Sequence, residues 1–404
     1  MTITEVPEWN AIFNLLLDPA VSEIEANGPN NFFMKRAGQR IKIENISLPS
    51  EEAYINGIEK GLVPFVRSMN AFDRHGYLFE GRLNFSSNGT DVSGRCHIVL
   101  PPTCDYAQVT IAKKTASLKT IDSIAAMGSM STEMMEFLNM AVKANLTIVF
   151  SGGTGAGKTT MLEALAKNIP SSLRIGVAED TPELILSQPN VSYLHSVPWQ
   201  PGMDSNEVAT LSWVVQQFQR MRTDKLIIGE TRGKEFADFL IAANSGMEGS
   251  MTTIHADDPT RCLMKMTNFA MKGSERQPVR AINNDIANAV DIIVQLVIVN
   301  GKHRVSHIQE IVPTLGNTEE AKITTAPLYR WDRSKDMFYK DNVMTDNLRE
   351  RIVNNGVNID QFLASTREVR HPAHGAGKNL PTNTQGRTLP RSLPTSPIPG
   401  KRSL

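Results

Sequence analysis

Residues 147–160 read Thr-Ile-Val-Phe-Ser-Gly-Gly-Thr-Gly-Ala-Gly-Lys-Thr-Thr, a short apolar run that breaks into a glycine-rich turn ending in a lysine and two threonines. A triphosphate concentrates negative charge and needs several backbone N–H groups converging on it at close range. Gly152, Gly153, Gly155 and Gly157 let the backbone bend around such a group without Cβ clashes, and Thr154 and Ala156 are binding positions in the same turn. Lys158 supplies a point charge, and the hydroxyl of Thr159 suits the shell of a Mg2+ ion. A helix expected from Thr159 and Thr160 to about Asn168 aims its positive N-terminal end at the phosphates. A glycine-rich turn alone is also an ordinary strand–turn–helix corner. The full G-x-x-x-x-G-K-T spacing between a buried-type strand and a helix is that of a P-loop.

Acids and a histidine follow at positions suited to the same chemistry. A strand expected at residues 174–178 runs into Glu179-Asp180-Thr181-Pro182-Glu183, where an open α/β sheet presents its ligand-facing groups. Acids also favour a helix N-terminus, so this stretch alone reads either way. Residues 225–230, Lys-Leu-Ile-Ile-Gly-Glu, end a buried-type strand in Glu230, a Walker B pattern whose carboxylate reaches Mg2+ through water. The next strand, residues 250–254, ends in His255, which is either structural or a contact to the γ-phosphate from the same sheet edge. Arg82 and Arg95 stand on or beside two strands near the N-terminus, as solvated strand-face cations or as phosphate ligands.

The elements that must hold these residues fall into two groups. Residues 1–112 read as a small α+β domain: a helix at 9–17, strands at 21–25 and 32–35, and an amphipathic helix at 51–66 carrying Ile55, Ile58, Leu62 and Phe65. Strands at 77–85 and 95–100 follow around Asn88-Gly89, and a last strand runs to about Ala112. Residues 113–122 form a linker, and residues 123–369 a larger α/β unit with helices at 132–144, 206–222 and 347–354. Strands at 290–299 and 303–311 around Asn300-Gly301 are expected to close its sheet. From residue 370 to 404, Pro, Gly, Ser and Thr dominate, with Lys378, Arg387, Arg391, Lys401 and Arg402 unmatched by any acid, so this basic tail is expected to be disordered.

At 404 residues the chain can bury two or three separate cores. Lys plus Arg and Asp plus Glu both number 42, so nothing global recommends a nucleic-acid partner and none is expected to bind directly. Cys96, Cys104 and Cys262 are odd in number and lack metal spacing, which fits reduced thiols in a cytoplasmic protein. No run approaches the ~18 to 20 apolar residues of a bilayer span, and the N-terminus lacks a signal-peptide pattern.

Taken in order, the motifs resemble the secretion-ATPase superfamily of type II and type IV secretion and type IV pilus motors, and most of all its tight-adherence pilus branch. The resemblance rests on Leu15-Leu16-Leu17-Asp18-Pro19-Ala20-Val21-Ser22-Glu23-Ile24, Asn27-Gly28-Pro29, the P-loop, and Glu179-Asp180-Thr181-Pro182-Glu183-Leu184. It continues through Met221-Arg222-Thr223-Asp224, Gly229-Glu230-Thr231-Arg232-Gly233 and Gly249-Ser250-Met251-Thr252-Thr253-Ile254-His255-Ala256. It implies a RecA-like P-loop NTPase domain behind the smaller α+β domain, a hexameric homo-oligomer, and ATP held between the two domains with Mg2+. It further implies that Glu183 orients the attacking water, that Glu230 supports Mg2+, and that Arg82, Arg95, Arg220 and Arg222 are cationic nucleotide contacts. Where the branch carries Ile-Arg-Lys at the linker, this chain has Ile111-Ala112-Lys113, so either Lys113 or Lys114 substitutes or nucleotide is held more weakly. The partners implied are inner-membrane platform or coupling proteins of a secretion or pilus system, with the ATPase cytoplasmic and peripheral to that membrane. Two other readings keep the fold: a ring-shaped nucleic-acid translocase, and a nucleotide-gated scaffold with negligible turnover.

Overall fold

The computed structural model describes residues 4, 6–68, 72–114, 119–197, 208–274, 277–313, 323–341, 344–363 and 371–372. The N-terminal part contains α1 (Pro7–Leu17), β1 (Val21–Asn27), β2 (Phe32–Arg36), β3 (Gln39–Lys42), α2 (Glu51–Gly57), β4 (Val66–Arg67), β5 (Leu78–Ser87), β6 (Thr90–Val99) and β7 (Gln108–Lys114). Its strands form a seven-stranded antiparallel sheet in the order β3-β2-β1-β7-β6-β5-β4. Alternation along β5 and β6 turns Phe79, Leu83, Phe85, Val92, Cys96 and Ile98 into a core with Trp9, Phe13 and Leu16. The same period of two sends Arg82 and Arg95 to the opposite face. Asn88 and Gly89, at φ +53° and +73°, make the tight turn that pairs β5 with β6 from Ser87 and Thr90 onward.

The helix expected over residues 51–66 is corrected by the structure. It is α-helical only to Gly57, then widens into a π turn at Ile58–Leu62 and a 3-10 turn at Val63–Phe65. A Cβ on Gly57, the last residue of α2, or on Gly61 in the π turn would come within 2.6 or 2.7 Å of the Trp9 indole, so the chain carries glycine where it presses on that ring. Pro64, lacking an N–H, ends the regular pattern.

The second part contains α3 (Ile121–Ala126), α4 (Thr132–Lys143), β8 (Ile148–Gly152), α5 (Lys158–Ala166), β9 (Ile175–Glu179), β10 (Val191–His195), α6 (Leu211–Arg220), β11 (Lys225–Thr231), α7 (Glu235–Ala243), β12 (Met251–Ile254), α8 (Pro259–Gly273) and α9 (Val279–Ala289). It continues with β13 (Ile292–Val299), β14 (Lys302–Pro313), β15 (Ile323–Asp332), β16 (Met337–Lys340), α10 (Asp346–Asn354), α11 (Asp360–Leu363) and β17 (His371–Pro372). The sheet order is β10-β9-β11-β12-β8-β13-β14-β15-β16-β17, parallel from β10 to β13 and antiparallel beyond. Helices cover both faces. Ile148 and Phe150 of β8 pack with residues of α4 and α5, while Val149 packs into the core of α6 to α9. Burial on both faces is why the parallel strands read as apolar runs without alternation.

Asn300 and Gly301, at φ +52° and +74°, do join β13 to β14, but they do not close the sheet as the sequence suggested. β15 pairs with β14 and β16 with β15. Pro327 argues against a strand in sequence; here it pairs with Gln309 beside a register shift, where a lost N–H is tolerated. α6 begins at Leu211, later than residue 206, with the Thr210 hydroxyl accepting from the Trp213 N–H at 3.2 Å; residues 198–207 lie outside the described ones. β7 runs to Lys114 and α3 starts at Ile121, both inside the stretch expected as linker. Of the expected tail, residues 371–372 pair with β16, and 373–404 lie outside the described residues. Among the described residues no helix is long and apolar enough to cross a membrane.

Candidate nucleotide site

β8 is buried along its length, and the chain leaves it through Gly155 and Gly157, at φ +74° and +91°, a region a Cβ disfavours. Gly157 then caps α5, whose first turn carries Lys158, Thr159 and Thr160. A Cβ on Gly152 would sit 2.6 Å from the Leu296 carbonyl oxygen, so the loop can pass β13 only as glycine. Gly153, Thr154 and Gly155 are exposed, while Ala156 and Lys158 are buried beneath them. Lys158 Nζ donates to the carbonyls of Gly152 and Gly153, each at 3.0 Å, and lies 3.2 Å from His255 Nδ1. Burial lowers its pKa to about 8, against the opposing pull of Glu230.

The parallel order β9-β11-β12-β8 delivers the acids and the histidine to the same edge. Glu230 Oε1 lies 2.8 Å from His255 Nε2, and its Oε2 accepts from Arg232 Nη2 at 2.5 Å. Burial pushes Glu230 upward, but the Arg232 bond and charge, with His255 and Lys158, outweigh it and hold the carboxyl below its usual range. His255 is lowered, first by burial and then by the Lys158 charge. Glu183 sits beyond β9 with Oε1 4.0 Å from Arg95 Nη1; burial raises it, and Arg95 resists. The segment that carries it is tied down by Glu179, whose Oε1 accepts from the N–H groups of Glu183 and Leu184 at 3.0 and 2.9 Å.

Arg95 belongs to the other sheet. It and Arg82 are register partners on β6 and β5, and with Lys114, Thr159, Thr160 and Glu183 they line a cavity of about 270 Å3 between the N-terminal sheet and the start of α5. Arg95 also lies 3.6 Å from Glu80. Ala112 pairs with Arg95 across the strands, so the departure at Ile111-Ala112-Lys113 falls in this same row. Lys113 does not replace the absent cation, because its Nζ donates to the carbonyls of Leu16 and Asp18 at 2.9 and 2.6 Å. Lys114 turns toward the cavity, donating to Glu163 Oε2 at 2.7 Å and to the Glu183 carbonyl.

The structure therefore brings residues 152–160, Glu183, Glu230, His255, Arg82 and Arg95 around one cleft. It does not bring Arg220 and Arg222 there. Arg220 ends α6 and Arg222 lies in the turn before Lys225, at the far end of β11 from Glu230, about 16 Å along the strand. Two residues in the cleft, Arg232 and Glu163, had no role in the sequence reading, and Glu179 had only that of an acid at a strand end. Arg232 follows Glu230 by two, the spacing that puts side chains on one strand face, and this signal was legible. Glu179 accepts from N–H groups four and five residues on, a loop geometry that residue types alone do not show, while Glu163 acts through a contact with the distant Lys114.

The donors suit a divalent cation that is held mostly by phosphate oxygens. Among the described residues no three His, Cys, Asp or Glu side chains cluster as a self-sufficient metal cage. Thr159 and Glu230 line one small recess with Asp180 and Glu183, matching a hydroxyl-plus-carboxylate Mg2+ seat.

The family model for type II/IV secretion system proteins matches residues 8–376. The type IV secretion system protein VirB11 of Bartonella quintana is 35% identical over 199 residues, 48% of this chain and 54% of that protein. VirB11 of Brucella suis is 30% identical over 246 residues, 54% of this chain and 67% of that protein. The chain thus spans about half to two thirds of these relatives' length. Among solved structures, the ATPase DotB of Legionella pneumophila shares the fold at a TM-score of 0.51 and 14% identity, over 87% of this chain and 84% of that one.

Proposed function

This chain belongs to the type II/IV secretion system protein family of motor ATPases, and from that premise we propose that it hydrolyses ATP in the cleft between its two sheets to drive an envelope machine. The observation that carries the proposal is the approach of Arg95, from the N-terminal sheet, to Glu183, beside the P-loop. A nucleotide bound there contacts both sheets, so loss of its γ-phosphate changes how they are held together.

The roles follow from position. N–H groups of residues 153–159 and the Lys158 ammonium take the phosphates, while Arg82 and Arg95 meet the γ-phosphate from the opposite wall. Ile124, Met127, Met161 and Leu296 line a neighbouring cavity of about 250 Å3 suited to the base. Glu183 orients and polarises the attacking water. Thr159 and Glu230 would hold Mg2+, which supplies charge compensation on the phosphate oxygens. His255, bonded to Glu230 and beside Lys158, reports the state of the γ-phosphate to α8 through the segment that follows it.

The resemblance in motif text supports the tight-adherence pilus branch, a hexameric ring, and placement at the cytoplasmic face of the inner membrane on a platform or coupling protein. Arg220 and Arg222 enter this reading only through a neighbouring subunit, since their own site is a strand's length away. The test is steady-state phosphate release by the full chain with Mg2+ and ATP. Turnover abolished by Lys158→Ala supports the proposal; a wild-type protein that binds ATP without releasing phosphate contradicts it.

A further inference from the structure

A second cavity, of about 540 Å3, adjoins the P-loop cleft: Arg82 and Pro182 belong to the walls of both, and Glu179, Asp180 and Thr181 are shared with the recess that holds Thr159 and Glu230. Its floor is polar and unsatisfied. Glu179 Oε2, Thr181 Oγ1 and His195 Nε2 are each buried without a hydrogen-bond partner, Glu179 Oε2 and His195 Nε2 facing each other at 4.0 Å, and Glu179 is only 3% exposed. Leaving three buried polar atoms without a hydrogen bond in one place is costly, and such atoms point to a polar occupant that fits between them.

Arg67 and Arg82 stand over the cavity, with the Glu80 carboxylate beside them. Arg67 on β4, Arg82 on β5 and Arg95 on β6 are successive register partners, so their side chains leave the same face of the sheet in one row. Like charges directly opposed across strands repel. Arg95 has Glu80 and Glu183 nearby, but among the described residues neither Arg67 nor Arg82 has an ion pair. The row spans two strand spacings, about 10 Å, leading from Glu183 to the second cavity. An anion that starts at Arg95 therefore has a continuous cationic track through Arg82 to Arg67.

We propose that the second cavity receives the inorganic phosphate released by hydrolysis, held by Arg67 and Arg82 above and by His195, Thr181 and Glu179 below, before it leaves the protein. This rests on the ATPase reading for the origin of the phosphate, and it assigns Arg67 and His195 to a product site distinct from the nucleotide's own contacts. Thr181 and His195 supply hydrogen-bonding atoms. Burial raises Glu179 to about 7, which leaves its carboxyl a proton to donate to a phosphate oxygen near neutral pH. Because Glu179 Oε1 also holds the N–H groups of Glu183 and Leu184, phosphate in this cavity presses on the segment that orients the water.

The test uses the full chain and inorganic phosphate. Arg67 is exposed on a two-residue edge strand, so Arg67→Gln should fold, and His195→Ala serves as a second variant. Arg67→Gln is expected to keep ATP affinity and single-turnover cleavage within about twofold. It should raise the phosphate concentration that half-inhibits turnover by about tenfold, the loss of one charge-assisted contact. His195→Ala should shift inhibition in the same direction. Phosphate binding to the ADP-loaded protein, followed by 31P line broadening, needs no turnover; it should be seen in the wild type and weakened in Arg67→Gln. Unchanged phosphate inhibition and binding in both variants overturns the proposal. So does a parallel fall in ATP affinity and cleavage, which would place Arg67 in the nucleotide site. A wild type that binds phosphate but never hydrolyses ATP contradicts the ATPase reading instead.

Discussion

At the scale of single residues, the two glutamates differ in what surrounds them. Glu230 is tied to Arg232 and His255 and kept ionised, as a carboxylate beside a cation should be. Glu183 is raised by burial, toward the range in which a carboxylate can take a proton from water. Glu183→Gln should therefore bind Mg·ATP nearly normally while single-turnover hydrolysis falls ~10²-fold or more. Glu230→Gln should lose Mg2+-dependent affinity as well as rate. Measuring both constants for both variants side by side checks this, and the reverse pattern would exchange the roles. Lys158 adds a pH dependence. With its pKa lowered to about 8, the free protein loses the ammonium as pH rises through 8, whereas bound phosphates favour the charged form. ATP affinity should thus fall between pH 8 and about 10, and equilibrium titration over that window should show it.

At the scale of elements, the irregular turns after α2 carry a specific cost. Gly61→Ala would put a methyl 2.7 Å from the buried Trp9 ring, so the N-terminal sheet should be destabilised by about 1 to 3 kcal/mol, read from denaturant melts. The break in that helix was not legible, because apolar residues at helical spacing do not record that two glycines face an indole. The P-loop, Glu230 and His255 were legible because each closes an apolar strand within a few residues of sequence. The nearness of Arg95 to Glu183 was not, since it depends on the register of three strands and on how two sheets meet. The continuation through β15 and β16 was hidden by Pro327 and by the long stretch between β14 and β15. Arg222, at φ +53°, marks the sharp turn into β11, a backbone role that its text alone could not separate from a ligand's.

At the scale of the whole molecule, the N-terminal sheet is part of the proposed catalytic apparatus and not merely an attachment. One chain places Arg82, Arg95 and Lys114 against the P-loop, with Lys114 bridging Glu163 on α5 and the backbone of Glu183. A ring supplies further cations only from neighbours, so mass measurement with Mg2+ and a non-hydrolysable ATP analogue should give a hexamer, and a strict monomer at high concentration would argue against it. The most direct test of the central claim is single-turnover ATP hydrolysis by Arg95→Gln in the full chain. Arg95 touches the cleft only across the boundary between sheets. If the nucleotide is completed by both, cleavage should fall ~10²-fold or more, as for loss of a preorganised transition-state donor, with a much smaller change in Mg·ATP affinity. Cleavage at the wild-type rate would mean that the P-loop sheet works alone and that the cleft is not the site.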